Sequence, residues 1–284
     1  MEREWKPRAT DVIITTPPKA GTTLMTQICH VLRTGGTGGA APAFEDIHQV
    51  VPFTHIADAL GQDLNAEQIA APRLFKAHLS LSRLPVGSRF IVATREPLAL
   101  VSSIYAYYVS MWTKPKVGPI DDFARSLPDN MYLLMREGFQ RRAEPSVCLV
   151  PYELMVQQKE ATVRKVASVM GIEPLEPRLI EAAIAESSRE YMLEHASHFT
   201  NHWTFRTLRE HGNAHAYTLN GQLPSASPKV TVGADEDNRD TLGPEGTAFV
   251  LNKWRRLVGD HIGHATYADM LSAVRAEWMQ LLQA

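Results

Sequence analysis

Apolar positions along the chain follow two periods, and their alternation predicts the architecture. A β-branched run from Asp11 to Thr16 reads as a strand and is closed by Pro17 and Pro18. From Thr22 the pattern changes: Leu24, Ile28, Val31 and Leu32 fall at i, i+4, i+7 and i+8, one face of a helix that the glycine run Gly35 to Gly39 stops. Three more short apolar runs read as strands, at 74–79, 89–95 and 146–152. Helical periods fill 98–111, 121–142, 153–170 and 176–195, and return at 244–258 and 266–283. Strands that alternate with helices predict an α/β protein with a central parallel sheet flanked by helices, a three-layer fold in one domain over 1–284. Between 197 and 243 the chain is polar, rich in His, Asn, Gly, Ser and Pro, and shows no clear period. That is too long for a passive connector, so a lid or flap is expected there.

Composition narrows the classes. The 284 residues are 44% hydrophobic, enough for a large core. Lys+Arg 29 against Asp+Glu 31 leaves a formal charge of -2, so nothing calls for nucleic acid, a membrane surface or a polyanion, and any anion site must be local. The two cysteines, Cys29 and Cys148, lie far apart in apolar patterns and read as reduced core thiols. The opening MEREWKPRAT has no apolar core of a signal peptide, and no apolar run reaches the length of a membrane span. A cytoplasmic protein is expected, as a monomer or homodimer.

Candidate chemistry starts at TTPPKAGTTL, residues 15–24, between the first strand and the first helix. Ligands of an open parallel sheet bind at the carboxyl ends of its strands, where a helix N-terminus offers free N–H groups and the positive end of its dipole. Gly21 lets the backbone come close, Lys19 adds a full charge, and Thr22 and Thr23 bring hydroxyls that can cap the helix and donate to phosphate. An ordinary strand-to-helix turn with a threonine cap accounts for the same residues. The loop is not a Walker A sequence, because the lysine precedes the glycine. Downstream, Lys76 and His78 sit two apart near a strand end, on one face, where an imidazole beside a phosphate site suits general base work near neutrality. Arg95 ends the next strand with Ser103 eight residues on, and a guanidinium fork suits phosphate.

PKAGTTL, FKAHLSLSRLP, VATREPLALVSSIYAYY and VPYELM, in this order, resemble the sulfotransferase superfamily that uses 3'-phosphoadenosine 5'-phosphosulfate (PAPS) and releases the 3',5'-bisphosphate PAP, over at least residues 11–195. The resemblance implies a P-loop-like fold, no metal and a small-molecule acceptor carrying a hydroxyl or amine. It implies that the loop Lys19, Ala20, Gly21, Thr22 and Thr23 holds the 5'-phosphosulfate, with Lys19 following the bridging oxygen as the leaving phosphate gains charge. It further implies that His78 deprotonates the acceptor, that Lys76 lies near the transferred group, that Arg95 and Ser103 grip the 3'-phosphate, and that Tyr152 lies next to adenine. Ser187 and Ser188 match a Thr-Ser pair lining the nucleotide. The usual C-terminal Arg-Lys-Gly signature is missing: SPKVTVGADED puts Lys229 in place of its lysine and Gly233 of a later glycine, with Pro228 for the arginine and Val230 for the first glycine. Leu24 stands where a tryptophan is common.

Two further groups of residues need an account. His195, His198, His202, His211 and His215 invite a metal reading, His198 and His202 at a zinc-compatible spacing, but no cysteine or well-placed carboxylate completes a ligand set. Trp112 and Phe205 are candidates for the wall of an acceptor pocket between Phe44, His78 and the lid. A P-loop small-molecule kinase is the alternative reaction, but neither a Mg²⁺-binding carboxylate at a strand end nor a lysine after the glycine is evident. A non-catalytic nucleotide-binding protein also fits the loop alone, and it leaves Lys76 and His78 without a purpose.

Overall fold

The computed structural model describes residues 5–112, 117–217, 229 and 241–283. Four strands form the sheet, β1 (Val12–Thr15), β2 (Leu74–Ala77), β3 (Arg89–Thr94) and β4 (Val147–Pro151), all parallel in the order β2-β1-β3-β4. Val12 pairs with both Leu74 and Arg89, and Thr94 with Pro151. Every residue of β1 and β4 is buried, as the continuous β-branched and apolar runs require of strands covered on both faces. The chain leaves β1 toward β2 and then crosses back to β3, so a crevice opens between the carboxyl ends of β1 and β3.

Helices cover the sheet in two groups. In one, α1 (Thr22–Thr34) packs on β1 and β2 and against α8 (Pro177–Ala185), which packs in turn on α7 (Lys159–Met170) over β3 and β4. The other contains α3 (Pro97–Met111), α4 (Ile120–Ser126), α5 (Asn130–Gln140) and α11 (Pro244–Trp254). α5 crosses β3 so closely that a Cβ at Gly138 would stand 2.5 Å from Val92 Cγ1. Further helices include α2 (Ile47–Val50), α6 (Tyr152–Gln157), α9 (Arg189–Glu194), α10 (His202–Glu210) and α12 (Tyr267–Gln283), and a π-turn, Arg255–Gly259, extends α11. Beneath the first strand, Arg73 clamps Asp11 with bonds of 2.9 and 2.6 Å, both side chains buried. Cys29 and Cys148 are buried and unpaired, as their apolar surroundings predict.

The four strands and α1 fall where the periodicity places them, and the longer helical periods divide. The 121–142 period breaks because Pro128 forces Leu127 into extended backbone, φ -64 and ψ 135. Gln158, at φ -127 and ψ 60, separates α6 from α7. Ser188 interrupts the 176–195 period by capping a new helix, its hydroxyl accepting from the Tyr191 N–H. The expectation of aperiodic chain from 197 is corrected over its first half, where α10 buries Thr204, Phe205, Thr207 and Leu208. Residues 218–228 and 230–240 of the expected lid, with Gly233, lie outside the described residues.

Candidate functional site

β1 leads into a turn that only unusual backbone can make. Lys19 adopts φ 66 and Gly21 φ 85, both left-handed, the first a strained state for a side-chain-bearing residue. Gly21 is itself the cap of α1 and makes no side-chain cap bond, which corrects the expectation of a threonine cap. Thr22 is instead the first helical residue, its Oγ1 2.5 Å from Thr16 Oγ1. Among the described residues no side chain caps the first-turn amides of α1, the condition for binding an anion at a helix start. A Cβ at Gly21 would lie 2.8 Å from both Met155 Cε and Tyr152 Cδ2, so the loop needs glycine for space as well as for backbone. Ala20 is buried in the same turn, and half-buried Thr23 follows Thr22.

Arg95, at the end of β3, closes the crevice from the other side. Its Nη1 donates to the Lys19 carbonyl at 2.9 Å and its guanidinium lies 4.6 Å from the centre of the Tyr152 ring. Lys19 Nζ lies 4.6 Å from the Tyr107 ring, and Tyr107 accepts at 2.6 Å from Asn201, the residue that precedes α10. Ser103 is half-buried on α3. Ser187 and Ser188 are engaged in structure: Ser187 Oγ donates to the Ala183 carbonyl and Ser188 caps α9.

At the carboxyl end of β2, Lys76 within the strand and His78 just past it flank one aromatic ring. Lys76 Nζ lies 4.2 Å from the centre of Phe53, and His78 meets the same ring edge-on at 5.1 Å. His78 Nδ1 stands 2.6 Å from the Thr16 carbonyl, which can only accept, so Nδ1 carries the proton and Nε2 the lone pair. Burial, then the neighbouring Lys76 charge, pushes His78 well below the usual histidine value and keeps it neutral. Asn130 holds the His78 carbonyl at 2.7 Å.

Asp46 and His48 join this group, and sequence reasoning missed them. The four-residue α2 carries a capping box, Asp46 with Gln49, whose D-x-x-Q spacing was the available signal. His48 Nδ1 lies 2.9 Å from Asp46 Oδ1 and His48 Nε2 lies 3.1 Å from Lys76 Nζ. Lys229 reaches the same imidazole, 3.4 and 3.5 Å from its two nitrogens. Burial, with Lys229 and Lys76 beside it, holds His48 down to about 3.

Four cations therefore converge in a chain of charge -2: Lys19, Lys76, Lys229 and Arg95. Burial and the other cations lower Lys19 to about 8, burial and Lys229 push Lys76 well below its usual range, and burial takes Lys229 to about 8. Among the described residues, none of these three lysines has a carboxylate within ion-pair distance. Depressed, unpaired ammonium groups beside an uncapped helix start fit a bound polyanion, and the phosphosulfate and phosphate groups of PAPS match that need.

The histidine group does not gather into one site, although the His195 and His198 rings face each other at 6.2 Å. His198 Nδ1 bonds the Phe44 carbonyl, His202 Nε2 lies 2.8 Å from Glu45, His195 packs on Tyr191, and His211 lies against Gly61. Among the described residues no group of three or more His, Cys, Asp or Glu could hold a metal. Phe44 and Phe205 are buried and Trp112 is half-buried, packed on Tyr108. Among the described residues no helix is long and apolar enough to cross a membrane.

Comparison with known proteins assigns the family. A model described as a sulfotransferase domain matches residues 9–255. Sulfotransferase 1A1 of Rattus norvegicus is 26% identical over 242 residues, covering 80% of this chain and 81% of that protein. Sulfotransferase 1E1 of Bos taurus is 25% identical over 218 residues, 71% of each. Two solved structures share the fold. Retinol dehydratase in complex with androsterone and the inactive cofactor PAP has a TM-score of 0.64 and 13% identity over 89% of this chain and 82% of that one. Mouse sulfotransferase SULT7A1 complexed with PAP has 0.57 and 14%, over 89% and 85%. With its loop, its crevice and a family match over most of its length, the chain belongs to the sulfotransferase family, PAPS-dependent enzymes that transfer a sulfuryl group to an acceptor.

Proposed function

We propose that this enzyme sulfates a hydroxyl or amine of a small-molecule acceptor, with His78 as general base and Lys19 stabilising the leaving phosphate. One observation carries the reading: His78 has its Nδ1 proton committed to the Thr16 carbonyl, leaving a neutral Nε2 beside Lys76 at the mouth of the crevice. The acceptor's oxygen or nitrogen gives its proton to His78 Nε2 and forms a bond to sulfur while the bond from sulfur to the bridging phosphate oxygen breaks. PAPS supplies the activated sulfuryl group. Lys19 and the first-turn amides of α1 meet the negative charge that grows on the departing phosphate, and Lys76 faces the sulfuryl oxygens. Arg95, with Ser103, holds the 3'-phosphate, the Tyr152 ring borders the adenine, and Lys229 adds a charge from the segment that follows α10. Ser188 supports the nucleotide side from its place at the start of α9. The chain works as one domain, and from its polar stretch after 197 the described residues Asn201, on Tyr107, and Lys229, on His48, reach the site.

An apolar acceptor suits the Phe53 ring that lies between Lys76 and His78, and a solved neighbour holds androsterone. Two buried unpaired thiols support the cytoplasm as the compartment. Thermal shift in the presence of nucleotides tests the donor: PAP should raise Tm and Mg·ATP should not, and stabilisation by Mg·ATP alone would favour a kinase and contradict the reading.

A further inference from the structure

We propose that Asp46 and His48 form a positioning dyad that aims the Lys76 ammonium at the transferred group. The inference rests on the sulfuryl-transfer reading for its purpose and on separate geometry for its existence. Lys76 is a long, flexible side chain that leaves β2 into a buried crevice, and free rotamers would cost it precision. Three contacts remove that freedom. The Phe53 ring lies under Nζ at 4.2 Å, the segment that carries Phe53 is itself tied to the Lys76 backbone, and His48 Nε2 meets Nζ at 3.1 Å.

Only one tautomer makes the last contact attractive. An ammonium has donors and no lone pair, so His48 Nε2 must be unprotonated to accept from it. Asp46 enforces this state: its Oδ1 takes the Nδ1 proton at 2.9 Å and also the His48 backbone N–H at 2.9 Å, which fixes ring and backbone together. Asp46 Oδ2 is buried and has no hydrogen-bond partner among the described residues, so the hydrogen bonds of this carboxylate are those that Oδ1 makes to His48. The groups that face the imidazole are Asp46, Lys76, Lys229 and the Phe53 ring, and the two lysines disfavour a protonated imidazole between them. α2 packs Ile47 into the core, and its capping box sets the Asp46 carboxylate where the His48 ring needs it.

The dyad differs from His78 in what it can touch. His78 offers a free nitrogen to the acceptor, whereas both His48 nitrogens are engaged within the protein, so His48 acts through Lys76. Removing it should lower kcat and leave donor binding intact.

The test is a double-mutant cycle in the full chain, with steady-state sulfuryl transfer from PAPS and calorimetric PAP binding as parallel readouts. His48→Leu should lower kcat about tenfold to a hundredfold while PAP affinity stays within about twofold. His48→Gln, whose carbonyl oxygen can accept from Lys76, should recover most of the loss. In a Lys76→Met background, His48→Leu should add less than about twofold, because its target is gone. Imidazole ¹⁵N spectra of the unmodified protein should show His48 neutral with the proton on Nδ1, a readout that needs no turnover. A proton on Nε2, an unchanged kcat in His48→Leu, or an equal loss in both backgrounds would overturn the dyad. A wild-type chain that binds PAP and transfers nothing would refute the catalytic reading instead, and the spectra would still decide the dyad.

Discussion

At the scale of single residues, backbone conformation and burial decide what each side chain of the site can do. Gly21 stands at φ 85 with Tyr152 and Met155 against the place of a Cβ. Gly21→Ala should cost about 1 to 2 kcal/mol of stability from the left-handed backbone alone, measured by denaturant unfolding. It should also weaken PAP by more than it weakens the fold, since the Tyr152 ring must move to admit the methyl group. Protonation sets a second expectation. Lys19 and Lys229 each titrate at about 8 in the free protein, so their charge is complete at lower pH and lost as pH rises through that value. kcat/KM for PAPS should therefore fall above about pH 8, and it should be level between about 6 and 7.5 because His78 is already neutral there. A rising limb centred near the ordinary histidine value would show that His78 is not held neutral. Lys19, Gly21, His78 and Arg95 stand out in the sequence because each sits at a strand end or loop where the period changes, and their roles were drawn from the resemblance of the motifs around them. Asp46 and His48 were not, because a four-residue helix has no period to read and its partners lie far along the chain.

At the scale of elements, the strands carry the precision of the site and the loops carry its chemistry. Each strand was visible as a β-branched or apolar run between turn residues, and the parallel order follows from helices that alternate with them. Helix limits were harder: Pro128 and Ser188 each act through one residue's backbone or hydroxyl, which a periodic pattern over twenty positions averages away. Ser188 illustrates the cost, since one hydroxyl that caps α9 has less capacity left for a ligand. The buried Arg73–Asp11 pair joins the residues that immediately precede β2 and β1. Arg73→Met leaves a buried carboxylate without its partner and should cost about 3 to 5 kcal/mol by chemical denaturation. Because the pair lies at the opposite end of these strands from Lys19 and His78, KM for PAPS below the melting range should change little, and a large KM effect would tie the pair to the site.

At the scale of the whole molecule, the chain keeps a charge of -2 while it concentrates four cations in one crevice. That contrast fits a small polyanion bound locally, since the positive charge gathers in the crevice and not in the overall balance. Segments distant in sequence supply the cations, Lys19 after β1, Lys76 on β2, Arg95 after β3 and Lys229 beyond α10, so the site exists only when the whole fold is assembled. Composition could not locate it, and only the order of the motifs along the chain pointed there. The proposed mechanism rests on His78, which among the described residues pairs an Nδ1 proton committed to the Thr16 carbonyl with an Nε2 left for the acceptor. The most direct measurement is single-turnover transfer of labelled sulfuryl from PAPS to a panel of phenols, alcohols and amines, comparing the wild type with His78→Ala and measuring PAP affinity of both. The account predicts transfer to at least one acceptor by the wild type, a loss of about 10²- to 10⁴-fold in His78→Ala, and PAP affinity unchanged. Undiminished transfer by His78→Ala would contradict it.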